Sequence, residues 1–258
     1  MRSFLSLDCE TTGLDPTTDK VIEVGWALFD IEQKRLVLAG GEYVNRRLDP
    51  KGADDRVNFS DTIKDITKIE HAWLETYGIS ETAMRARLDT LTAGGLGLEA
   101  IVAHHAQFDR AFLKGMGWET ELPWICTLND LPANVGQKSL RYLALDRAVL
   151  SFFPHRAMFD AIQCAAVLNT FDFYQVRERS KSPMVILAAD VTFKENQKAK
   201  NLEFKWERPF RHDDLRIPRT WCKGLKAMDL HDEQVKCGKA GVMTHVVEMP
   251  AATNGDTK

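Results

Sequence analysis

Five residues that can hold a cation or carry a proton fall in three segments of this chain, in an order and spacing that suit one shared site. Asp8 and Glu10 stand in Leu7-Asp8-Cys9-Glu10-Thr11-Thr12-Gly13-Leu14, Asp109 closes His104-His105-Ala106-Gln107-Phe108-Asp109, and His155 with Asp160 bounds His155-Arg156-Ala157-Met158-Phe159-Asp160. In an extended chain Asp-x-Glu puts both carboxylates on one face, because alternate side chains point the same way. Arg2 to Leu7 reads as the strand that carries them, and Thr11-Thr12-Gly13 ends it in a tight turn. Taken alone, such a pair equally describes solvated turn formers.

Ala100 to Ala103 reads as a short buried strand, and Phe108, Ala111 and Phe112 follow at helical spacing. Asp109 therefore falls in the first turn of a helix, where the helix dipole also favours an acid. His155 and Asp160 flank the start of a helix predicted from Met158 to about Tyr174, with Phe159, Ile162, Ala166 and Val167 on its apolar face. An imidazole, with an ordinary pKa of about 6.5, can accept a proton from water near neutral pH. A histidine merely hydrogen-bonded near a helix start is the plainer alternative. Hydrolysing a phosphodiester builds charge on both the attacking and the leaving oxygen, and two divalent cations roughly 3.5 to 4 Å apart stabilise both. Hard cations take oxygen ligands, which carboxylates supply.

Together these three segments resemble the DEDDh, or DnaQ-like, 3′-to-5′ exonuclease family over about residues 1 to 176. The resemblance implies a ribonuclease H-like α/β domain with a mixed five-stranded sheet and helices on both faces. It implies two divalent cations, Mg²⁺ with Mn²⁺ able to substitute. Asp8, Glu10 and Asp160 would bind the ion that activates water, Asp8 would be shared with a second ion supported by Asp109, and His155 would take the proton. Thr11, Thr12, Leu14, His104, His105 and Phe108 match positions near the terminal nucleotide, with Leu14 wedged against its base. The family's second motif carries His-Asn where this chain has His104-His105, which leaves the asparagine's contact in question.

The implied reaction releases nucleoside 5′-monophosphates from the 3′ end of a single strand, DNA favoured over RNA, with a polymerase or a replication or repair protein as a candidate partner. An RNA-trimming enzyme of the same family is the first alternative. A catalytically silent subunit that binds nucleic acid or a polymerase is the second. Clustered carboxylates argue against silence, because they repel one another and the substrate unless cations offset them.

The hydrophobic pattern agrees with this architecture. Strands expected near 2 to 8, 20 to 30 and 35 to 44 form a meander, and those near 100 to 104 and 124 to 127 alternate with helices. Asn45 to Phe59 is long, polar and charged, and reads as an insertion near the active face. The longest apolar run, Met184 to Ala189, is too short to cross a bilayer, and Met1 to Asp8 lacks the pattern of a secretory signal. No membrane association and a cytoplasmic location are expected. Five cysteines show no pairing pattern, and Cys222, His231, Cys237 and His245 fit no common zinc spacing, so reduced thiols are expected.

The net charge of −3 is unevenly spread: −7 over residues 1 to 176, +6 over 177 to 226 and −2 beyond. A basic stretch beside an acidic cation site suits a phosphate backbone. Residues 177 to 183 have the polarity of a linker, 184 to 248 form a small basic α+β module, and 249 to 258 read as a disordered tail. Within the module a strand is expected over Val185 to Phe193, a helix over Lys194 to Leu202, an extended piece at Phe204-Lys205-Trp206 and a strand around Trp221-Cys222-Lys223. The module is similar to those appended to bacterial and phage exonucleases, without the glycine usual before the aromatic-x-Trp. Trp206 and Trp221 can stack on unpaired bases while Lys198, Lys200, Lys205 and Lys223 track phosphates. Burial of both tryptophans in a small core is the favoured alternative.

Overall fold

The computed structural model describes residues 1–49, 59–132, 139–150, 153–209 and 218–247. Most of the insertion expected between Asn45 and Phe59, and all of the expected tail from 249, lie outside these residues. The chain divides after Ser180 into two compact units.

The first unit begins with an antiparallel meander, β1 (Ser3–Thr11), β2 (Val21–Asp30) and β3 (Arg35–Tyr43). Helices α1 (Asp61–Thr67), α2 (His71–Tyr77) and α3 (Glu81–Thr92) follow. Ser60 and Ser80 cap α1 and α3 by accepting from the amides of Ile63 and Ala83. Strand β4 (Leu98–Ala103) then pairs parallel to β1, and α4 (Ala106–Gly115) leads to β5 (Trp124–Cys126), parallel to β4. Helices α5 (Leu140–Asp146), α6 (Ala157–Leu168) and α7 (Phe173–Ser180) complete the unit. The strand order is β3-β2-β1-β4-β5.

The alternation of side chains along the strands builds a core on each face of this sheet. Phe4, Ala27, Phe29 and Val102 pack with Leu143, Ala161, Cys164 and Phe173 of α5, α6 and α7. Leu5, Leu7, Val24, Leu28 and Ile101 pack on the other side with Met84, Leu88, Phe112 and Leu113 of α3 and α4. Each Val, Leu, Ile, Phe or Met among them contributes about 1.5–3 kcal/mol on leaving water, so both layers of helices are strongly held. The result is the ribonuclease H-like mixed sheet expected from the sequence. By the same alternation Asp8 and Glu10 share the α6 side of β1 with Phe4.

Two expectations for this unit need correction. The single helix expected from Met158 to Tyr174 is two, because α6 ends at Leu168 and Asp172 caps a new helix by accepting from the amide of Gln175. The linker expected from residue 177 begins inside α7. Its polar residues are tied down: Arg177 pairs with Glu99 at 2.6 Å, and Arg179 donates to the carbonyl of Asp130 at 3.1 Å.

The second unit is a four-stranded antiparallel sheet in the order β7-β8-β6-β9. Its elements are β6 (Met184–Asp190), α8 (Asn196–Asn201), β7 (Lys205–Glu207), β8 (Thr220–Lys226), α9 (Leu230–Lys239) and β9 (Met243–Val247). Leu187, Ala189, Ala199, Leu202, Phe204, Cys237 and Val242 form its core, with Trp221 partly buried against them. Strand β6 stops at Asp190 rather than Phe193, because Thr192 and Glu195 form a capping box that starts a 3₁₀ turn and leaves Phe193 exposed. Helix α9 and strand β9 had no counterpart in the expected pattern. No helix among the described residues is long and apolar enough to cross a membrane.

Candidate active site

The end of β1 places two carboxylates where α6 begins. Glu10 pairs in register with Glu23 of β2, and Asp8 pairs with Gly25. A Cβ at Gly25 would lie 2.1 Å from the backbone of Ala157 and Met158, so only glycine lets the first turn of α6 close over the strand beside Asp8. The amide of Ala157 donates to Glu23 Oε2 at 3.0 Å, which satisfies a helix N-terminus that lacks a cap of its own.

Glu23 is buried, and an unpaired carboxylate there would be costly by several kcal/mol. Arg156 offsets that cost, donating from Nη2 to Oε1 at 2.9 Å and from Nε to Oε2 at 3.2 Å, and its Nη2 also donates to the Tyr43 hydroxyl at 2.6 Å. Glu23, Gly25 and Arg156 therefore fix the segment that carries His155 and Asp160. Sequence reasoning missed all three. The signal was an acid and a glycine inside Val21-Ile22-Glu23-Val24-Gly25-Trp26, a strand buried along its whole length.

His155 is exposed and has a left-handed backbone, φ 61°, and its amide donates to Asp160 Oδ2 at 2.8 Å. Donor atoms of Glu10, His155 and Asp160 all lie within 4.8 Å of one another. Asp8 and Asp109 stand outside that ring of atoms but within reach of its charge. Asp109 is buried in the first turn of α4, and its Oδ1 accepts from the Cys9 amide at 3.0 Å, linking α4 to β1 between the two acids.

The four carboxyls hold their protons far more tightly than exposed acids. Burial first, then the charges of Asp109, Glu10, Asp160 and Glu23, push Asp8 well above the carboxylate range. Glu10 is pushed up to about 8 by burial and by Asp160, Glu23 and Asp109, with Arg156 opposing. Burial takes Asp109 up to about 7 against the bonds it accepts from Cys9, and it raises Asp160 against the bond from His155. A cluster of oxygen donors that repel one another when ionised is a set that divalent cations fit. Among the described residues Glu10, His155 and Asp160 are the one group of three or more His, Cys, Asp or Glu donors in close reach, and no cluster forms around Cys222, His231, Cys237 and His245.

The remaining expected residues are placed less uniformly. Leu14 projects into solvent with 85% of its surface exposed. The Thr12 hydroxyl donates to Asp19 Oδ1 at 3.1 Å and accepts from the Lys20 amide at 2.9 Å, while the Thr11 hydroxyl donates to the carbonyl of Gly13. Both threonines thus hold the turn that presents Leu14. His104 Nδ1 lies 2.9 Å from the Thr127 hydroxyl, beyond the end of β5. His105 caps α4 with φ 84° and stacks its ring 6.0 Å from that of Phe108.

A family model described as exonuclease, RNase_T, matches residues 5–168. Over 184 residues the chain is 30% identical to a DNA polymerase III PolC-type protein of Thermotoga maritima, covering 66% of this chain. It spans only 12% of the length of the curated relatives it matches. Among solved structures it is similar to Exonuclease X in complex with 5′ overhanging duplex DNA, at 22% identity over 69% of this chain and 99% of that one, TM-score 0.50. It is also similar to the zinc-bound form of the E. coli Exonuclease I complex with single-stranded DNA, at 14% identity over 94% of this chain and 68% of that one, TM-score 0.60. At these identities the likeness to the solved structures is one of fold.

Proposed function

The chain belongs to the RNase_T family of DnaQ-like exonucleases, and from that premise we propose that it is a two-metal exonuclease of the DEDDh type that works from the 3′ end. Its product would be nucleoside 5′-monophosphates and its substrate single-stranded DNA. The observation that carries this reading is the convergence of Glu10, His155 and Asp160 donor atoms within 4.8 Å beside the partly buried Asp8.

Asp8, Glu10 and Asp160 would hold divalent cations, Mg²⁺ by the hardness of the donor set, with Asp109 supporting the second ion from α4. When bound, such cations lower the pKa of water and neutralise charge on the attacking and leaving oxygens. His155 takes the proton of the attacking water: it is exposed, and its backbone is anchored to Asp160, so the imidazole faces the cluster without being locked inside it. Arg156, held by Glu23, keeps that segment in place. Leu14, presented by Thr11 and Thr12, packs against the terminal base, and Phe108 with His104 and His105 borders the same nucleotide.

The DNA held in both structural neighbours supports the reading of DNA as substrate. The PolC-type relative supports a polymerase as the partner. Incubating the protein with 5′-labelled single strands of DNA and RNA, with Mg²⁺ or chelator, tests the reading. A Mg²⁺-dependent ladder shortening from the 3′ end, faster on DNA, supports it; intact strands in every lane would leave the chain a binding subunit.

A further inference from the structure

The second unit divides its two tryptophans between different tasks. Trp206 of β7 and Trp221 of β8 are directly opposed in the ladder, their ring centroids 5.7 Å apart and tilted by 54°. Trp221 leans into the core of the unit. Trp206 remains 52% exposed on β7, the edge strand, although a small domain has few large apolar side chains with which to build a core. The Lys200 ammonium sits 6.0 Å from the Trp221 ring centroid and has no carboxylate partner among the described residues. Lys223, by contrast, is bound to Glu233 at 2.6 Å and to the Leu202 carbonyl at 2.7 Å, and so belongs to the fold.

Within the described residues of this unit, 181–209 and 218–247, eleven Lys and Arg oppose seven Asp and Glu. A half-exposed flat ring packed against a second, tilted ring with an ammonium group beside it is complementary to an unpaired base and a neighbouring phosphate. Any base has a π-face, so this arrangement discriminates single from double strands without reading sequence.

We infer that the Trp206 face of the second unit is a contact for single-stranded nucleic acid separate from the carboxylate cluster, with a base stacked on Trp206 and Lys200 at a neighbouring phosphate. The choice of ligand rests on the exonuclease reading, but the binding itself does not require catalysis. Full-length protein in chelator is titrated into a fluorescein-labelled thirty-nucleotide oligo(dT), with anisotropy as the readout.

Trp206→Leu should weaken binding about tenfold and Trp206→Phe about threefold or less, the range expected for one stacked base. Lys200→Gln should lower the slope of log affinity against log salt by about one. A strand that keeps bases only at its last four 3′ nucleotides should bind wild type more weakly, and this comparison needs no variant to fold. Trp206→Leu within twofold of wild type, or equal wild-type affinity for the two strands, overturns the inference. If wild type shortens DNA in Mg²⁺ while Trp206→Leu binds normally, the stacking site fails and the exonuclease reading stands. Trp206-dependent binding without shortening in any lane keeps the stacking site and removes the exonuclease reading.

Discussion

Glu10 and Glu23 oppose one another across the β1–β2 ladder, yet among the described residues only Glu23 is neutralised by a cationic side chain of its own. Like charges at directly opposed positions destabilise a sheet. Arg156 and the first amide of α6 take up the charge of Glu23, whereas Glu10 is left among Asp160, Asp109 and Asp8 with its pKa pushed up to about 8. One acid of the pair therefore anchors the start of α6, and the other lies beside His155 and Asp160.

Glu23→Gln should separate these roles. The amide leaves Arg156 without its charge partner, a loss of about 3 kcal/mol, which lowers Tm by about 5–10 °C in a chain of this size. Turnover should fall too, since the segment carrying His155 loses its anchor. A melting curve that superimposes on wild type would show that Glu23 contributes nothing to the site's construction.

Stability should decline with rising pH when chelator is present. Glu10 and Asp109, at about 8 and about 7, bind protons in the folded state that the unfolded chain has already released near 4 to 5. A raised carboxyl stabilises below its unfolded pKa and loses that stabilisation as pH climbs to its folded pKa, so Tm should fall between about pH 5 and pH 8 and level off above. Depressed carboxyls such as Asp49 act below this window. Mg²⁺ or Mn²⁺ should flatten the decline, because a bound cation replaces the lost protons. Calorimetry in chelator that finds Tm steady or rising over the same range contradicts the electrostatic description.

Asp8→Asn should act in opposite directions on fold and reaction. In chelator at pH 8 it replaces a carboxyl that folding must desolvate and protonate with a neutral amide, and should raise Tm by a few degrees. Turnover of single-stranded DNA in Mg²⁺ should drop by about a thousandfold or more, the scale of losing a group that organises charge stabilisation. Activity within tenfold of wild type would remove Asp8 from the machinery.

His155 lies close enough to Glu10 and Asp160 to be a ligand rather than a base, and the two roles differ in one measurement. As the base, His155→Ala should lose about 10²- to 10⁴-fold in kcat while Mn²⁺ affinity stays within about threefold. As a ligand it would lose cation affinity together with activity.

The sequence carried the three motif segments because each is contiguous and each sits where a strand end or first helical turn is legible. Glu23 and Gly25 were hidden for the opposite reason: their meaning depends on α6 arriving across β2 from more than 130 residues away, which Arg156 records as a separation of 133. Arg177 and Arg179 read as linker residues because polarity was visible and their partners Glu99 and Asp130 were not. The division of labour between Trp206 and Trp221 needed the ladder register and the helices that cover one face. Helix α9 escaped notice because Cys237 is its one buried residue, too little for a periodic pattern.

Anomalous diffraction from crystals grown with Mn²⁺ and a nucleoside 5′-monophosphate measures the central relationship most directly. Manganese should appear about 2.1 Å from carboxylate oxygens of Asp8, Glu10 and Asp160, with His155 turned towards the phosphate. Manganese absent from this cluster, or bound elsewhere while the nucleotide occupies the site, would contradict a cation-dependent reaction here.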